Sequence, residues 1–224
     1  MKIGNKWRID FIKIALGGFS ILFLITFVLF WTKGGNQRLA IPIVMLKIFG
    51  FSASLLLVLG ELGHPLFDRI CPKWEKIDCH AVLESPAAKI FGVIPTADLG
   101  GVYFFGGIIL ICFSVNDPLF FHHIYLLAIL NLLTLPYTIF SVLYQAFVVK
   151  YWCFLCLIVQ LLFWLEFWQF YQFLAAGVPR FTIEDFLPIL WSFGLPVLIW
   201  TPLRPVIKGA IEVYKSSQTP NKGD

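Results

Sequence analysis

The chain has 224 residues, of which 59% are hydrophobic and 13% charged, and its mean hydropathy is +0.83. A soluble domain carries about 25% charged residues; this composition is that of an integral membrane protein, with room for about five or six spans of about 20 residues and none for a separate soluble domain. The net charge of +4 is scattered, so no basic stripe marks a nucleic-acid partner.

Residues 1–39 open with Lys2, Lys6, Arg8 and Lys13 before a long apolar run. The run exceeds a signal-peptide core, so residues 11–31 are expected as an uncleaved transmembrane helix. A second span is expected over residues 40–59 and contains Lys47. Residues 60–101 are the one long polar stretch and hold Cys71, Cys79 and an expected short amphipathic helix over 81–91. The third span, 102–115, contains Cys112, expected as a small buried apolar residue. The fourth, 121–149, contains Pro136, which a membrane helix tolerates with a kink. The fifth, 151–174, opens on Cys153 and Cys156. Residues 175–207 hold a last span over 186–203, and the polar tail 208–224 is expected to be disordered.

The Cys153–Cys156 pair is a Cys-x-x-Cys at a helix mouth. Such thiols lie within one turn, close enough for a disulfide, and the helix N-terminus favours thiolate over thiol. If spans two to five alternate, the loop holding Cys71 and Cys79 emerges on the same side as the Cys-x-x-Cys. Two dithiols, one on a mobile loop and one at the bilayer surface, make a relay. A soluble dithiol reaches the first pair and a lipid-soluble acceptor the second, by thiol–disulfide exchange through mixed disulfides. The competing readings are purely structural disulfides in a non-catalytic membrane protein, or a zinc site. Zinc favours closer spacings than the seven residues between Cys71 and Cys79, and no metal is expected.

Other polar residues inside spans need partners. Gln160 lies one turn below Cys156 on the same face. Tyr137, Ser141, Tyr144 and Gln145 share one face of the fourth span and either line a pocket or bond between helices. Isolated charge inside a span is costly. Counting about 1.5 Å per residue from the span starts puts Lys47 about 10 Å from one surface and Glu166 about 22 Å from the other. In a hydrocarbon core of about 30 Å those depths are similar, so the two are expected to pair. His80, next to Cys79, could stabilise a thiolate when protonated, although a solvated loop histidine is the default.

The stretches CPKWEKIDCHAVLESPAAKIFG, LGGVYF and LNLLTLPYTIFSVLYQAFVVKYWCFLCLIVQLLFWLEF resemble the vitamin K epoxide reductase family, most closely its bacterial members. The shared motifs are the spaced loop cysteines, a serine six residues after the second, a Gly-x-x-Tyr entering the next span, and the Cys-x-x-Cys opening the last core helix. The resemblance implies a four-helix bundle core over residues 40–174 with a half-helix in the loop capping the site; with the composition and spans read above, the expected fold is an all-α integral membrane protein with one extra transmembrane helix at each end. It implies a DsbB-like role: a thioredoxin-like protein, separate or supplied by a fused domain, is reoxidised and the electrons pass to a ubiquinone- or menaquinone-type quinone. Cys71 would exchange with the partner, Cys79 would form the inter-loop disulfide with Cys153, Cys156 would face the quinone, and Ser85 would stand near the active thiols. Gln160, Thr96, Tyr137 and Tyr144 are the further expected quinone contacts. Gln160 occupies a position where the family often has tyrosine. A related reaction within the family is reduction of the quinone epoxide itself.

This role implies thiols on the extracytoplasmic side of the membrane, probing an oxidising compartment, as in a bacterial inner membrane. Lys2, Lys6, Arg8, Lys208, Lys215 and Lys222 would then share that side, opposite to the positive-inside rule. Either the rule does not govern here, the first span is miscounted, or the chain is inverted.

Overall fold

The computed structural model describes residues 36–218 apart from positions 72, 74, 91, 176 and 178; the expected first span, 11–31, lies outside them. The chain divides into two compact units, Met1–Ile43 and Val44–Asp224. Every side chain of the site described below lies in the second unit.

The protein is an all-α integral membrane protein. Its long helices are α1 (Asn36–Glu61), α4 (Thr96–Ser114), α5 (Phe120–Tyr144), α6 (Phe154–Ala175) and α7 (Ile183–Gln218). Between α1 and α4 lie two short helices, α2 (Pro65–Ile70) and α3 (Cys79–Leu83), and an antiparallel pair of two-residue strands, β1 (Lys89–Ile90) and β2 (Ile94–Pro95). Five helices among the described residues are long and apolar enough to cross a membrane: Ala40–Glu61, Thr96–Ser114, Phe120–Val149, Phe154–Ala175 and Ile183–Tyr214. Large apolar side chains such as Phe113, Leu133, Trp168, Leu190 and Trp191 are exposed on their outer faces. In water such a surface would be an aggregation liability; in lipid it is the expected exterior.

α5 packs against α6, and α4 against both α5 and α7. Lipid tails are as apolar as leucine, so close backbone approach and polar contacts drive these associations. Glycines provide the room. A Cβ on Gly50 of α1 would overlap the Phe104 ring, and one on Gly106 of α4 would stand 2.9 Å from the Ser192 carbonyl of α7. α1 stops in a Schellman turn. Gly63 takes φ 72°, its N–H bonds the Gly60 carbonyl at 2.9 Å, and His64 N–H bonds the Leu59 carbonyl at 2.8 Å; the left-handed residue is glycine because it lacks a Cβ. His64 then caps α2, its Nδ1 accepting from Leu66 N–H at 3.2 Å.

Three expectations need correction. The short helix expected over 81–91 is instead α3, a 3-10 turn (Pro86–Ala88) and β1; Pro86 breaks the pattern by removing a donor. The tail is not disordered from 208 onward, because α7 runs unbroken to Gln218, with Lys208 and Glu212 at 4.0 Å as an i, i+4 pair. Cys112 is exposed on α4, not buried, because the faces of α4 that meet its neighbours carry Tyr103, Phe104, Leu110 and Ile111.

Candidate redox site

Cys71 caps the C-terminus of α2 and Cys79 opens α3. They are joined as a disulfide with Cα atoms 6.3 Å apart, within the normal range. Asp78 holds this corner. Its carboxylate caps α3, accepting from Ala81 N–H at 3.1 Å, and lies 2.6 Å from Lys73 Nζ. Burial pushes the Asp78 carboxyl up, but the Lys73 and Ala81 hydrogen bonds outweigh it and hold it below the usual carboxylate range. A depressed folded value gives stability that is present above the ordinary pKa and lost as pH falls through the folded one. As pH falls from about 4 through that depressed value the cap should release, and phosphine reduction of Cys71–Cys79 should accelerate. Asp78→Ala should be roughly fivefold faster at neutral pH, the effect of losing a cap of about 1 kcal/mol, and should show no acid limb. His80 meets Asp68 at 2.7 Å and sets its ring edge-on to Phe67.

The second pair approaches the same corner. Ile77 and Trp152 form a parallel β-bridge, with Trp152 N–H donating to the Lys76 carbonyl at 2.9 Å and Asp78 N–H to the Trp152 carbonyl at 3.2 Å. The loop holding Cys79 is thereby stitched to the strand-like lead into Cys153. α5 delivers that lead through a π turn, Gln145–Val149, and a left-handed Lys150 at φ 61°. Buried Gln145 accepts from Cys153 N–H at 2.8 Å. Cys153 directly precedes α6, and its sulfur accepts from Cys156 N–H at 3.3 Å, so the N-terminal dipole falls first on Cys153. Cys71, Cys79 and Cys153 belong to one buried apolar cluster, with Cys156 packed against it. Cys153 and Cys156 are free thiols.

Cys156 also faces a cavity of about 300 Å³ walled by α1, α4, α5, α6 and the α3–β1 segment, of a size typical for small-molecule sites. Ser85, Thr96, Tyr137, Tyr144 and Gln160 all line it, as do Ser141 and Gln145. The structure thus brings every expected quinone contact and the expected serine to one cavity. It also shows how their hydrogens are used. Ser85, Thr96, Thr134, Tyr137 and Thr138 donate to the backbone carbonyls of Val82, Ala88, Asn131, Ala87 and Leu135. The Ser54 hydroxyl and Gln160 Oε1 are buried without a partner among the described residues.

Behind the cavity's Tyr103 wall lies a buried polar network. Lys47 Nζ pairs with Glu166 Oε2 at 3.2 Å, as their depths predict. Tyr103 donates to the same oxygen at 2.7 Å, and Asn131 Nδ2 donates to Tyr103 Oη at 3.3 Å and to the Phe163 carbonyl at 3.2 Å. Lys47 Nζ also sits 4.0 Å above the Tyr103 ring centroid. Gly107 makes room for the lysine, since a Cβ there would overlap its side chain. At the thiol end, Arg204 of α7 pairs with Glu61 at 2.8 Å and Asp98 at 2.7 Å. The opposite end of α7 is tied through Asp185, 2.8 Å from His122 at the start of α5.

A family model described as "Vitamin K epoxide reductase family" matches residues 41–170, more than half of the chain, and this stretch contains all four clustered cysteines and every residue that lines the cavity. The chain belongs to the vitamin K epoxide reductase family. No curated protein and no solved structure matches it. Membership makes it a membrane oxidoreductase of thiols and disulfides in a family that works with quinones and thioredoxin-like proteins. Within the matched region, the roles of Tyr103, Asn131 and Gln145 were not read from the sequence. Tyr103 stood in the Gly-x-x-Tyr motif and Asn131 was a lone amide in an apolar span, yet neither signal names the partner across the bundle. Arg204 lies outside the matched region, and its role depends on how α7 folds back.

Proposed function

We propose that this family member is a thiol:quinone oxidoreductase with a DsbB-like role, reoxidising a thioredoxin-like protein and reducing a membrane quinone. The observation that carries the reading is the continuity of the site: the disulfide Cys71–Cys79, the capped thiol Cys153 and the cavity-facing thiol Cys156 meet at one corner of the bundle. Cys71 exchanges with the partner dithiol. Cys79, reduced in that exchange, attacks Cys153 of the Cys153–Cys156 disulfide and releases the Cys156 thiolate. Cys156 passes electrons to the ring in the cavity as Cys153–Cys156 becomes a disulfide. The balance is one partner dithiol oxidised to disulfide and one quinone reduced to hydroquinone, two electrons and two protons moving from sulfur to oxygen. Ser85, Thr96, Tyr137, Tyr144 and Gln160 shape the cavity around that ring.

The test is the purified chain in lipid nanodiscs with dithiothreitol and 2,3-dimethyl-1,4-naphthoquinone, a probe with no ring position open to thiol addition. Dithiol-dependent hydroquinone formation is expected; its absence, with the loop disulfide intact, returns the protein to a non-catalytic reading. An arm with the 2,3-epoxide of the same probe separates epoxide reduction.

The thiols face the extracytoplasmic side in this reading, where a disulfide persists. A membrane-impermeant maleimide should label Cys71 on intact, reduced cells; labelling only after lysis would invert the orientation.

A further inference from the structure

The cavity's polar groups differ in what they can offer the two redox forms of a bound ring. A quinone has only acceptor oxygens, whereas a hydroquinone has two O–H donors as well. A hydroxyl such as Ser54 serves either form by rotating its hydrogen. An amide held in one orientation cannot. Gln160 is such an amide. Its Nε2 donates to Ser141 Oγ at 2.7 Å, and its Oε1 is left buried without a partner among the described residues, on a side chain only 8% exposed that lines the cavity.

The hydrogen bonds on the thiol side support this orientation of Gln160. Cys153 N–H takes Gln145 Oε1, which turns Gln145 Nε2 towards Ser141 Oγ at 3.5 Å. Two amide NH2 groups therefore converge on one hydroxyl oxygen, which acts as acceptor. The carbonyl of Gln160 is what remains for a ligand.

We infer that Gln160 makes this cavity selective for the reduced ring: its Oε1 accepts from a hydroquinone O–H and finds nothing to accept from a quinone, with Ser141 as the positioning residue that keeps the amide turned that way. The inference rests on the thiol:quinone reading and adds a direction to it. A site that binds the reduced product more tightly favours electron transfer out of Cys156 and is held back by accumulated hydroquinone.

The test compares the dissociation constants of 2,3-dimethyl-1,4-naphthoquinone and its hydroquinone, measured anaerobically on the full chain in nanodiscs. A Cys156→Ala parent prevents turnover during the titration. One extra hydrogen bond predicts roughly tenfold tighter hydroquinone binding. Gln160→Met, which keeps the length of the side chain, should erase the preference by weakening the hydroquinone alone. Ser141→Ala should narrow the ratio by a different route, because the freed amide can turn its NH2 to a quinone carbonyl. Equal binding of both forms by the parent, or an unchanged ratio in Gln160→Met, overturns the inference and leaves the thiol:quinone reading standing. Failure of both rings to bind overturns both readings.

Discussion

Replacing Cys156 by alanine should stop quinone reduction, lowering the rate by about a thousandfold or more, as loss of a reacting nucleophile does elsewhere. The loop disulfide should still react with a dithiol. Cys71–Cys79 is formed on short helices of its own, and nothing in that corner depends on the Cys156 sulfur for capping. Without Cys156, Cys153 has no resolving thiol within its turn, so a Cys79–Cys153 disulfide should accumulate and be seen by peptide mapping. Cys71→Ala should give the complementary result: loss of exchange with a protein dithiol and retention of one hydroquinone per pre-reduced Cys153–Cys156 pair. Full turnover by the Cys156→Ala chain would exclude electron transfer through this thiol.

Glu166→Ala should be the most destabilising single change in the membrane interior, by about 3–5 kcal/mol, because it leaves a buried lysine without its counter-charge. Lys47 and Glu166 are both fully buried, and the Tyr103 hydroxyl loses its acceptor in the same step. The double variant Lys47→Met with Glu166→Gln should recover most of the loss. It removes both charges while the glutamine carbonyl can still accept from Tyr103. Denaturant unfolding in micelles measures the cycle. If Glu166→Ala alone is as stable as the double variant, the pair is not what holds α1, α4 and α6 together at this depth.

The Lys47–Glu166 contact also shows what kind of structure a sequence makes legible. Helical rise and bilayer thickness are fixed lengths, so two charges can be matched in depth by counting. The gathering of the cysteines at one corner was legible for a similar reason, since Cys153 and Cys156 carry their geometry in their spacing. The identity of third partners was not. Nothing local tells Tyr103 to meet Glu166, or Gln145 to accept from Cys153 N–H; those contacts depend on helix rotation. Polar composition misjudged α7 past Lys208, because it records solubility and misses pairing such as Lys208 with Glu212. Pro86 was visible, but the apolar spacing around it suggested a helix that the missing donor forbids.

The bridge from Arg204 to Glu61 and Asp98 ties the cavity walls to a segment beyond residue 170. Glu61 is one turn from Leu57, and Asp98 sits between Ala97 and Leu99, all of which line the cavity, so one guanidinium sets the spacing of two walls. A transplant of residues 41–170 into another scaffold would carry the thiols and leave two acidic groups repelling each other without their shared cation. Altering any one of the three residues constrains what the other two can become. The last helix is therefore a strut of the cavity, and exchanging it between relatives should succeed only when all three positions travel together.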